Sequence, residues 1–201
     1  MRSRLFLAGL ISLAVVSAAL ATVIVQRADK QANVVTGQAL IGGPFTLTAD
    51  DGRRVTERDF ADRYKLVYFG YTYCPDICPL GLQTISQALD DLPPAEAANI
   101  VPLFITVDPG RDTPSVMRDY VRAFHPSLIG LTGSQQDIDA VTRAYRVYVH
   151  KGTPDKDGNY SVDHSGFTYL MSPSGEYLAH FGHDVSAEQM ARSLQQLIPS
   201  S

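Results

Sequence analysis

The sequence predicts an α/β body with an N-terminal β-hairpin, preceded by a single N-terminal transmembrane helix. Three patterns predict this: a charge-free opening stretch, a hairpin signal after it, and short apolar runs that then alternate with helix-period segments.

The opening stretch, Leu5 to Val25, carries no charged residue. At ~1.5 Å per helical residue it is long enough to cross a hydrocarbon core of ~30 Å. Arg2 and Arg4 precede it, and Asp29 partly offsets Arg27 and Lys30 after it, so the body is expected outside the cytoplasm. Ala19-Leu20-Ala21 has the form of a signal-peptidase site, but the apolar run outlasts a signal core of about 7–15 residues, which favours an uncleaved anchor. Residues 1–26 are read as the anchor, 27–40 as a polar linker and 41–201 as the folded domain.

Within the domain, Phe45 to Thr48 and Arg54 to Thr56 flank Asp51-Gly52, a hairpin with its turn residues. Lys65 to Gly70 and Ile100 to Val107 are runs of buried-strand type, and between them Leu82, Ile85, Leu89 and Leu92 repeat at helical spacing. Together these form a βαβ unit. Thr113-Pro114 is a helix start with Val116, Tyr120, Val121 and Phe124 on its apolar face, and this helix should end by Pro126. Leu128 to Leu131 reads as a strand, Ser134 to Ala144 as a capped helix and Tyr145 to His150 as a further strand. Lys151 to Ser165 reads as a long polar loop of the kind that carries function. Phe167 to Met171 and Glu176 to Phe181 around Ser172-Pro-Ser-Gly175 form a second hairpin, and Ser186 caps a closing helix that reaches Leu197.

The chain has 201 residues with a formal net charge of -4 and no basic stripe, which excludes a nucleic-acid partner. A domain of this size buries a core without a disulfide framework. Its only two cysteines, Cys74 and Cys78, therefore point to chemistry. They can close a disulfide with each other or share a soft metal, Cu(I) or zinc. Pro79 makes Cys78 the expected N-cap of the helix, with its sulfur at the positive end of the helix dipole, where thiolate is favoured. Cys74 then sits in the loop before it. Among the five histidines, His125, His150, His180 and His183 read as surface or element-end residues, whereas His164 closes the long polar loop. Spacing alone leaves His164 open between an ordinary element-end histidine and a third metal ligand.

The segments Phe69-Gly-Tyr-Thr-Tyr-Cys-Pro-Asp-Ile-Cys-Pro-Leu80, Val107-Asp-Pro-Gly-Arg-Asp-Thr-Pro114 and Asp163-His-Ser-Gly166 together resemble the Sco/SenC family of membrane-tethered, thioredoxin-like copper proteins. The resemblance runs from about Ile41 to the last helix. It implies a thioredoxin-like fold and copper bound by Cys74, Cys78 and His164. It also implies a body in the periplasm held to the cell inner membrane, and copper delivery to the dinuclear copper site of cytochrome c oxidase, with another copper chaperone as a possible donor. Asp108 reads first as a turn residue before Pro109. Gly110 stands where the family often has an acidic residue, a departure that touches no proposed ligand. The alternative is a thiol-disulfide oxidoreductase using Cys74 and Cys78 to keep the cysteines of that oxidase site reduced. Against a general activity of that kind, three residues separate these cysteines where thioredoxins have two, and no proline occurs between Pro154 and Pro173 to serve as their cis-proline.

Overall fold

A computed structural model describes residues 40–199. The expected anchor and all but the last residue of the expected linker lie outside the described residues. Among those described, no helix is long and apolar enough to cross a membrane.

The N-terminal hairpin forms as expected from β1 (Thr46–Ala49) and β2 (Arg54–Thr56), which pair antiparallel with Leu47 opposite Val55. Gly52 takes φ 89° in the turn, a left-handed conformation that a residue with a Cβ rarely adopts. The βαβ unit follows as β3 (Tyr64–Gly70), α1 (Ile77–Asp90) and β4 (Ile100–Thr106), with a short helix α2 (Pro94–Ala98) before β4. β3 and β4 pair in parallel along their whole length. All of β4 and nearly all of β3 are buried, as expected of strands covered on both faces. Helix α3 (Pro114–Val121) is capped by Thr113, whose hydroxyl accepts the Val116 N–H. It leads to β5 (Ile129–Thr132), parallel to β4, and then to α4 (Gln135–Ala144), which opens on a reciprocal capping box between Ser134 and Asp137.

Two expectations for the next segment fail. Tyr145 to His150 does not extend the main sheet: Tyr145 caps α4, Arg146 turns left-handed at φ 58°, and only β6 (Val149–Lys151) is extended. Lys151 to Ser165 is not one long loop either, because its last part is β7 (Val162–His164), which pairs antiparallel with β6 in a separate two-stranded sheet. The tyrosines and valines behind that expectation divide between core and surface. Tyr145 packs tilted against Phe69 and edge-on against Tyr169 in the core, while Tyr148 and Val149 are exposed.

The C-terminal hairpin, β8 (Thr168–Met171) and β9 (Tyr177–Phe181), joins the main sheet through β8 antiparallel to β3. Helix α5 (Ala187–Leu197) closes the fold and packs against α1. The strand order is β2-β1-β5-β4-β3-β8-β9. A parallel β3-α1-β4 unit beside an antiparallel hairpin and a final helix is the thioredoxin-like arrangement.

Side chains alternate along β3 and fill both faces of the sheet. Tyr68 stacks on Phe104, which meets Tyr120 of α3, while Phe69 meets Tyr145 and Tyr169 on the other side. Phe69 and Phe104 are fully buried, each a contribution of roughly 1.5–3 kcal/mol from burial alone. Gly70 ends β3 because nothing larger fits. A Cβ there would lie 2.8 Å from Cys78 Sγ and 2.8 Å from the Phe104 ring.

Candidate metal centre

The loop after β3 brings Cys74 to the start of α1. Its backbone N–H donates to the Tyr71 carbonyl at 3.2 Å, closing a tight turn. The N-cap of α1 is Asp76, which corrects the expectation for Cys78. Cys78 lies inside the first turn, and Pro79 follows it there without loss because a first-turn N–H has no helical partner to give up. The Cys78 N–H instead donates to Cys74 Sγ at 3.4 Å. The sulfur that meets the free donors of the helix start is thus that of Cys74. The expectation of a thiolate-favouring setting at Cys78 is corrected as well, because the residue is wholly buried and burial pushes its thiol up.

His164, the last residue of β7, arrives from 86 positions away and places Nε2 3.3 Å from Cys78 Sγ. Its Nδ1 lies 3.1 Å from the Ser165 carbonyl oxygen, a group that only accepts, so Nδ1 carries the proton and Nε2 keeps its lone pair. Burial also lowers the His164 pKa, so the ring is neutral at pH 7. The Tyr71 ring stands edge-on to the imidazole at 6.0 Å, and the Tyr71 hydroxyl accepts the Val162 N–H at 3.3 Å.

Cys74, Cys78 and His164 bring their three donor atoms within 4.8 Å of one another, and both cysteines are free thiols. Donors that share one ion at about 2.0–2.3 Å each stand at most about 4.6 Å apart, so little approach is needed. Two soft sulfurs and a neutral imidazole nitrogen fit Cu(I). The other four histidines stay outside this cluster. His125 faces Asp90 and Ser127, His150 is exposed on β6, His180 bonds the Tyr177 hydroxyl, and His183 follows β9.

The expectations missed the polar scaffold behind the cysteines. Asp112, fully buried, accepts from the Thr72 N–H at 3.1 Å, the Thr72 hydroxyl at 2.6 Å and the Thr106 hydroxyl at 2.6 Å. Burial lifts its carboxyl above the usual range against the pull of these donors. Asp108 is the turn residue expected, since its carbonyl accepts from the Arg111 and Asp112 N–H groups. Its carboxylate does more, pairing with Arg111 and accepting the Tyr160 hydroxyl at 2.9 Å. The available signal was the pair of acids inside Asp108-Pro-Gly-Arg-Asp112, directly after a buried strand. Gly110 has room for a side chain, because a Cβ there meets nothing closer than Asp108 Oδ1 at 3.8 Å.

Loading a metal on two thiols displaces their protons, which fixes the sign of a pH effect. Cys78, raised by burial, is protonated at neutral pH, whereas the lowered His164 has already lost its proton there. Copper affinity is therefore expected to rise with pH between 6 and 8, with about one logarithmic unit per pH unit coming from the Cys78 proton. In competition titrations across that range, Cys78→Ser should lose about one proton of this slope and His164→Ala none.

A SCO1/SenC family profile matches residues 33–199. The human mitochondrial protein SCO1 homolog is 41% identical over 170 residues, which is 84% of this chain and 56% of that protein. The Arabidopsis thaliana mitochondrial protein SCO1 homolog 1 is 48% identical over 153 residues, 75% of this chain and 46% of that one. The chain thus spans about half the length of these two relatives. The crystal structure of Arabidopsis thaliana ScoI with copper bound matches with a TM-score of 0.73 and 44% identity, covering 77% of this chain and 95% of that one. With a match over most of its length and a thioredoxin-like fold that brings two cysteines and a histidine together, the chain belongs to the SCO1/SenC family.

Proposed function

We propose that the protein is a membrane-anchored copper chaperone that holds Cu(I) on Cys74, Cys78 and His164 and delivers it to the dinuclear copper site of cytochrome c oxidase. The observation that carries this reading is the convergence of the three donor atoms, with the His164 nitrogen already neutral and oriented. A copper-bound structure of a relative at 44% identity supports the choice of metal. Copper is cargo here. Two thiolates and one imidazole hold Cu(I) without enclosing it, so incoming thiolates or imidazoles can displace them stepwise. The recipient is the copper-site subunit of the oxidase, as the family resemblance implies. The charge-free stretch at Leu5 to Val25 supports an anchor in the cell inner membrane with the body in the periplasm.

The thiol-disulfide reductase alternative gains less from the site. A general reductase presents an exposed, activated thiolate, whereas Cys78 is fully buried with its thiol raised and Cys74 is only 8% exposed. Transfer separates the two readings. The copper-loaded protein is mixed with the reduced, copper-free soluble domain of the oxidase copper-site subunit, and the copper-free protein with the oxidised domain. Delivery predicts copper on the acceptor in the first mixture. Fast disulfide reduction in the second, without copper transfer in the first, would overturn it.

A further inference from the structure

We propose that Arg111 is the positioning residue of the copper site: it ties the cysteine loop to the strand carrying His164 and sets where the imidazole meets the sulfurs. The proposal rests on the copper reading above and names a residue outside the ligand set. Arg111 lies in the loop between β4 and α3, yet its guanidinium faces both the cysteine loop and the residues just before the His164 strand. Its carbon stands 5.6 Å from the ring centre of Tyr71 and 4.8 Å from that of Tyr73, the aromatic residues that lead into Cys74. It stands 3.8 Å from the ring centre of Tyr160, and its Nη1 donates to the Tyr160 carbonyl at 3.1 Å, just before β7. Asp108, two residues after β4, fixes the guanidinium through Nε and receives the Tyr160 hydroxyl, closing the circuit.

The arrangement is specific to arginine. A planar cation can lie against aromatic faces while its edge makes directed hydrogen bonds, whereas lysine offers only a point charge. Lys151 Nζ lies 3.7 Å from the ring centre of Tyr160, so that ring is held by two cations. The remaining nitrogen, Nη2, is buried without a hydrogen-bond partner. The ring contacts and the Asp108 and Tyr160 bonds therefore fix the orientation, at the expense of a donor. From this knot two links run to the ligands. Tyr71 accepts the Cys74 N–H with its carbonyl and the Val162 N–H with its hydroxyl, and its ring abuts His164.

The test uses the full-length chain with Arg111→Lys and Arg111→Met, each alone and combined with His164→Ala, in Cu(I) competition titrations. Groups that orient a metal ligand are typically worth 10–100-fold in metal affinity, so Arg111→Met should weaken binding about tenfold or more. Combined with His164→Ala it should add less than about twofold, because an effect exerted through the imidazole has nothing left to act on. Arg111→Lys should fall between wild type and Arg111→Met, and it serves as the test variant if Arg111→Met fails to fold. The second readout needs no copper. Hydrogen exchange of the metal-free variants should quicken at the Val162 and Ser165 amides while the β3 and β4 amides keep wild-type protection. Full additivity with His164→Ala, or unchanged exchange at Val162 and Ser165, would overturn the proposal. Failure of wild type to bind copper, with the exchange result as expected, would sink the copper reading and leave the tie itself standing.

Discussion

Copper titration of the Cys78→Ser protein is expected to show the stoichiometric site gone, with residual affinity lowered about 10²–10³-fold. The magnitude follows from four-ligand zinc sites, whose binding free energy of about 10–16 kcal/mol shared evenly gives roughly 2.5–4 kcal/mol per ligand. Cys74→Ser should match it. His164→Ala should weaken binding less, since the two thiolates remain as the softer and charged donors. Serine is close to isosteric with cysteine at the buried Cys78 position, so unfolding curves of the metal-free proteins separate ligand loss from misfolding. Cys78→Ser with wild-type affinity would remove that sulfur from the site. Wild-type affinity in His164→Ala would reduce the centre to a thiol pair, and the 3.3 Å approach of Nε2 to Cys78 Sγ would then be only a hydrogen bond.

The second large effect is expected at Asp112, which touches none of the three proposed ligands. Asp112→Ala leaves the Thr72 N–H, the Thr72 hydroxyl and the Thr106 hydroxyl without their acceptor in a fully buried place. Each orphaned donor costs about 1–3 kcal/mol, and the two hydroxyls recover part by rotating, so the net loss should be about 3–5 kcal/mol. Against a typical domain stability of about 5–15 kcal/mol this is a large fraction, readable as a shift of the urea midpoint at unchanged slope. Asp112→Asn should cost roughly half as much, because its oxygen still accepts while its NH₂ faces groups that are themselves donors. Thr72 lies two residues before Cys74, so Asp112→Ala should also weaken copper binding. A loss of under about 1 kcal/mol would show that water or a rearranged loop satisfies the three donors as well as the carboxylate does.

The fold was legible wherever the deciding free energy is local. The Thr113, Ser134 and Ser186 caps begin their helices as read, since a cap is satisfied within four residues of chain. Both main-sheet hairpins declare their turns, with Gly52 and Gly175 at φ 89° and 88°. Local reasoning failed at Tyr145 to His150, where only Val149 and His150 join a strand. Tyr145 buries its ring against β3 and β8, and Arg146 turns the chain left-handed, so that extended structure begins only at Val149. It failed again at Cys78, where Pro79 marks the first turn of a helix without fixing which residue caps it.

The pair of cysteines at a strand-to-helix junction was determined by the sequence alone, because Pro75, Pro79 and the flanking apolar runs act over a few residues. Their electrostatic setting was decided by tertiary structure. Burial of Cys78 beneath Gly70 and Phe104 removes water from the thiol and outweighs the helix end that the sequence put beside it. The third donor was decided in the same way. His164 comes within reach of the Cys78 sulfur, 86 residues distant, only when β8 pairs with β3 and β7 pairs with β6. Arg111 could not be read from the sequence as part of the site at all. Its three tyrosine partners converge through the pairing of separate strands, and no local pattern in a chain encodes a meeting whose energy appears only once those strands have closed.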